Sequence, residues 1–131
     1  MTGESSNPPM SGDRSNADEG PLDSLGAQAA RDIAEVPAVE VITAAAVHLM
    51  SAAAVKCGLA EDVEADLDEA RKLITALAAL VTAAAPEIGN QHARPLRDGL
   101  RSLQLAFREA SVVPDPPGQG PGERWTGAVL R

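Results

Sequence analysis

Apolar side chains recur at helical spacing in three stretches of this chain, with polar or Pro/Gly-rich sequence between and around them. The first stretch, Val41 to Val55, reads VITAAAVHLMSAAAV and holds no charged residue. It predicts a helix from Pro37 to about Cys57. Pro37 suits a first turn, Glu35 and Glu40 complement the positive helix end, and Lys56 and Gly58 mark the stop. The second helix is expected to start at Asp66 as N-cap, with Glu69 completing a variant capping box. Along it Leu67, Ala70, Ile74, Leu77, Val81 and Ala84 alternate steps of three and four, and Leu73 and Leu80 widen the face. Pro86 is expected to close it. The third helix starts near Pro95, aligns Leu96, Leu100, Leu103, Phe107 and Ala110, and fades by Ser111.

The pattern predicts an all-α fold, a small three-helix bundle or a helical hairpin plus a third helix. Residues 1–35 are rich in Ser, Asn, Gly, Pro and acids and read as a disordered acidic tail, with at most a transient helix between Leu22 and Val36. Residues 36–111 form the helical domain. Residues 112–131, with Pro114, Pro116, Pro117 and Pro121 among glycines, read as a flexible Pro/Gly-rich tail.

The first helix differs from its neighbours because it is apolar nearly all round, apart from a strip carrying Glu40, His48 and Ser51. A helix of that kind is normally buried nearly all round. Two companion helices do not cover its whole circumference, so a homodimer is expected. Helix one would lie near the dimer centre, with Val39, Ile42, Ala46, Leu49, Met50 and Ala53 as self-association residues. The uncharged run is shorter than the roughly 18–20 residues a bilayer span needs, and it contains Thr43, His48 and Ser51, so no membrane association is expected.

Composition narrows the function classes. The formal net charge of −8 argues against nonspecific binding of nucleic acid or anionic membrane by the whole molecule. Aromatic residues make up 2%, which disfavours a deep small-molecule pocket or a base-stacking surface. A single cysteine, Cys57, allows no intramolecular disulfide, and no secretory signal is recognisable at the start. A reducing, cytoplasmic location follows as the expectation.

Candidate chemistry is sparse. The acidic run from Glu61 to Glu69 resembles a calcium loop only superficially. Counting from Asp62, Leu67 stands where that loop needs Gly and Leu73 where it needs a bidentate Glu. His48, Cys57 and His92 show no metal-ligand spacing, and no cofactor motif or catalytic constellation is present, so no metal, cofactor or enzymatic activity is expected. Two features suit partner binding. Arg97, Arg101 and Arg108 share one stripe of the third helix with Gln104, opposite the leucines, and Arg94 precedes them. Trp125, the sole tryptophan, follows a Pro/Gly spacer as a short docking motif would.

The segment from Ala38 through Leu80, followed by Pro95 to Ser111, resembles the bacterial domain of unknown function eighteen forty-four, a short all-helical family. The resemblance rests on the apolar first helix, on Asp66-Leu67-Asp68-Glu69-Ala70-Arg71-Lys72-Leu73-Ile74, and on Leu103-Gln104-Leu105-Ala106-Phe107. It covers about residues 37–111 and implies no activity. The leading expectation is a non-enzymatic protein acting by self-association and by binding a protein partner. The alternative is an RNA- or ribosome-associated factor that contacts phosphate through its arginine face.

Overall fold

The computed structural model describes residues 24–130. Of the disordered tail expected over residues 1–35, residues 1–23 lie outside the described residues, and residues 24–34 are helical instead. The chain divides at Pro37 into two units. In the first, residues 24–34 are helical, and residues 24–37 are exposed. The second carries α1 (Ala38–Lys56), α2 (Leu67–Ile88), α3 (Asn90–Ala110) and the short α4 (Glu123–Thr126). No strand occurs among the described residues. The fold is all-α: α1, α2 and α3 each pack against the other two, and α4 packs on α2.

Helix α1 ends as its sequence predicts. The Gly58 N–H donates to the Val55 carbonyl and the Leu59 N–H to the Ala54 carbonyl, the paired bonds of a Schellman stop. Asp66 caps α2 by accepting the Glu69 N–H at 3.2 Å. The return half of the capping box does not form. The Asp66 N–H is taken by the Lys56 carbonyl at 2.7 Å, and the Glu69 carboxylate accepts from Lys72 Nζ at 2.7 Å instead.

Two boundaries differ from the sequence expectation. Pro86 does not close α2, which runs on to Ile88, and Pro95 does not open α3, which begins at Asn90. Each proline removes one intrahelical donor. The carbonyls deprived of it belong to Thr82 and Gln91, both exposed, where water can replace the lost bond. The break between the helices is made by Gly89 alone, at φ 87° and ψ 157°. Only glycine adopts that conformation readily.

The core forms where small side chains let the helices approach closely. Ala46 and Ala53 of α1 are fully buried, as are Ala70, Ile74, Leu77 and Ala78 of α2, and Leu96, Leu100, Leu103 and Phe107 of α3 close against them. The glycine inside α3 is explained by the same closeness: the Met50 sulfur occupies the place a Cβ on Gly99 would take. Alpha-helix α2 carries the most buried residues of the three, so it, rather than α1, is the central element. Among the described helices only α1 is long and apolar enough to cross a bilayer by length and composition, and here it packs as one layer of the bundle.

The flexible tail expected over 112–131 is not what the described residues show. Residues 112–130 fold back, with Pro121, Gly122, Glu123 and Val129 buried. The prolines that bar a long helix also restrict the unfolded chain, which lowers the cost of fixing one path. Gly122 makes the closest approach. At φ 78°, a Cβ there would lie 2.5 Å from the Ala78 Cβ.

Gly89→Ala is expected to destabilise the fold by about 1–3 kcal/mol through backbone strain, and Leu77→Ala by about 2–5 kcal/mol through loss of core packing. Urea denaturation followed by helical circular dichroism reads both. A Gly89→Ala protein as stable as the parent would refute the assignment of the helix break to Gly89.

Candidate functional site

Two surfaces have features beyond core packing. The first is the outer face of α1. Of the residues expected to mediate self-association, Ala46 and Ala53 are buried in the bundle, while Leu49 and Met50 pack against its core. Val39 and Ile42 are half-buried. Ala46, Ala53, Leu49 and Met50 thus face inward, because apolar side chains on every side of a helix do not reveal which side the companions occupy. The outward face carries Val41, Ala45, His48 and Val55, all exposed, with the half-buried Ala52 among them. Val41 and Val47 are 47% exposed and Val55 38%.

The second surface is the polar stripe of α3 where the C-terminal segment docks. Gln104 is its centre. Only 3% exposed, its Nε2 donates to the Pro121 carbonyl at 3.0 Å and to Thr126 Oγ1 at 3.1 Å. Glu123, 7% exposed, folds the segment on itself. One carboxylate oxygen accepts from the Gly118 and Gly120 N–H groups at 2.8 and 3.1 Å. The other accepts from the Val129 N–H at 3.3 Å. A buried carboxylate is tolerable with three N–H donors around it.

The arginines expected to receive a partner are drawn into this arrangement. Arg108 Nη1 donates to the Asp115 carbonyl at 3.0 Å, and Arg101 Nη2 to the Leu130 carbonyl at 3.1 Å. Arg97 Nη1 donates to Asn90 Oδ1 at 2.9 Å, and Arg94 is exposed. From α2, Arg71 grips the Asp115 carboxylate with bonds of 2.9 and 3.1 Å while lying 4.9 Å from the centre of the Phe107 ring. Trp125 is partly exposed, with the Arg124 guanidinium 4.8 Å from its ring centre. The stripe and the Trp segment, separate candidates in the sequence, thus meet each other. Gln104, Asp115 and Glu123 were not foreseen as a group. Their signal is faint: one amide in a row of arginines, and two acids among prolines and glycines.

Between α2, α3 and the docked segment lies an open cleft of about 720 Å³, lined by Val81, Leu100, Arg97, Arg101, Trp125 and Val129 among others. Cys57 is buried at the end of α1, and burial pushes its thiol pKa up. The thiol therefore stays protonated at neutral pH and is a poor nucleophile. No group of three or more His, Cys, Asp or Glu side chains able to hold a metal ion occurs among the described residues.

Residues 38–109 match the family described as a domain of unknown function (DUF1844), and the chain belongs to that family. The match covers the three-helix bundle and stops before the docked segment. No curated protein and no solved structure matches the chain.

Replacing Gln104 with Ala is expected to release the C-terminal segment without unfolding the bundle. Trp125 emission should shift to the red and limited proteolysis should begin within residues 112–130. Cys57, by contrast, should react slowly with a thiol reagent at pH 8 and quickly in concentrated urea. Equal rates in the two conditions would contradict its burial.

Proposed function

We propose that this protein works without catalysis, as a small helical module that pairs with a second copy and presents its remaining surface to a protein partner. The observation that carries the reading is the uncharged outer face of α1. Val41, Ala45, His48, Ala52 and Val55 follow one another at steps of four and three, the spacing of a helix-pairing seam. The order Val, Ala, His, Ala, Val reads the same in both directions. A two-fold interface pairs one patch with itself, and this seam offers the same side chains in either direction. The seam is also the stretch where two copies of net charge −8 meet without opposing charges.

At 1.5 Å per residue α1 is about 28 Å long. The shared surface is accordingly at the low end of specific interfaces, and a reversible dimer in the micromolar range is expected. The raised pKa of the buried Cys57 supports the non-catalytic part of the reading. The protein partner would meet the surface made by the docked segment and the exposed side of α3, where Arg94 and Trp125 lie. An RNA or ribosome contact has less support, because the half-buried Arg108 is bonded to the C-terminal segment and the chain carries a net charge of −8.

Sedimentation velocity of the whole chain across a micromolar concentration series is the test. A concentration-dependent shift from monomer to dimer is expected, and Ala45→Glu with Ala52→Glu should abolish it while leaving helicity intact. A monomer at every concentration, or a dimer indifferent to both glutamates, would overturn the reading.

A further inference from the structure

We propose that the cleft between α2, α3 and the docked C-terminal segment binds an amphipathic carboxylate, a short apolar chain ending in one anionic head. The site lies on a different face from the α1 seam and does not depend on self-association. Its volume of about 720 Å³ falls within the roughly 300–1,000 Å³ of small-molecule sites. The lining mixes exposed apolar Pro86, Trp125 and Ala128 with polar Thr82, Asn90 and Thr126, while Val81, Leu100 and Val129 border it from buried positions. The sole tryptophan of an aromatic-poor chain forms part of its lining.

The charge at the rim selects the head group. Arg97 and Arg101 both line the cleft and stand one turn apart on α3, so their Cβ atoms are about 5–6 Å from each other. Both guanidiniums donate to neutral oxygens, Arg97 to the Asn90 amide and Arg101 to the Leu130 carbonyl. No ion pair to either arginine occurs among the described residues, and a guanidinium has further N–H donors to offer. In a chain with 19 acids and 11 bases, two arginines held against neutral oxygens beside this cleft form a receptor for an anion. A carboxylate between them would leave its chain against Pro86, Trp125 and Ala128. A polyphosphate or nucleic acid would find only these two cations in the lining for its several charges.

The chain contains no tyrosine and one tryptophan, so its intrinsic fluorescence reports on Trp125 and hence on the cleft. Titrating the whole protein with sodium octanoate should give a saturable change in Trp125 emission. The same concentrations of 1-octanol should bind at least about tenfold more weakly, the loss expected for removing a charged hydrogen-bonding head. Arg97→Gln should weaken octanoate by a similar factor, whereas Arg94→Gln, on the same helix outside the cleft, should leave it unchanged. Circular dichroism checks the fold of each variant, and if Arg97→Gln loses helicity, the octanoate-to-octanol ratio on the parent protein decides. The proposal is overturned by an unsaturable response, by octanol binding as tightly as octanoate, or by Arg94→Gln weakening binding as much as Arg97→Gln.

Discussion

Close packing of alanine is the constraint on which the structure depends. Ala46, Ala53, Ala70, Ala78 and Ala93 are fully buried, and so small a side chain lets packed elements approach closely. Close approach yields many weak dispersion contacts, but an alanine removes little apolar area from water. The bundle contains just two large side chains that are wholly enclosed, Ile74 and Leu77. A core of that kind gains from every further layer that can be laid on it.

The chain supplies one such layer itself. Residues 112–130 return across α2 and α3, placing Gly122 against Ala78 and Val129 in a buried position. Here specificity comes from polar groups: Gln104 holds the segment to α3, and the Glu123 carboxylate gathers three backbone N–H groups within it. Buried polar groups of this sort fix one arrangement because any other would leave them unsatisfied. The residues that match the family end at 109, and this layer lies beyond them. The outer face of α1 has no such cover within the described chain, and a second copy is the occupant we assign to it.

Much of the bundle was legible in the sequence. Three helices, the Asp66 cap, the Gly58 stop and the inward leucines of α3 follow from local rules, because each depends on residues within a few positions of one another. What stayed hidden was long-range. Which side of α1 faces inward depends on where α2 and α3 stand, and an almost uniformly apolar helix does not announce it. The tail was misjudged for a related reason: proline and glycine content describes local stiffness, whereas Gln104 reaches 17 and 22 positions along the chain to hold it. Pro86 and Pro95 read as boundaries because a missing donor is usually costly, yet at exposed turns it is not.

The central claim is that the seam through His48 is covered by a second copy. In a Cys57→Ala background, a cysteine replacing His48 sits at the middle of the self-complementary stripe, where a two-fold axis would bring it beside its counterpart. Mild oxidation at micromolar protein should link His48→Cys chains into covalent dimers much faster than chains carrying Glu87→Cys, at an exposed position on α2. Equal, slow cross-linking at the two positions would contradict the account.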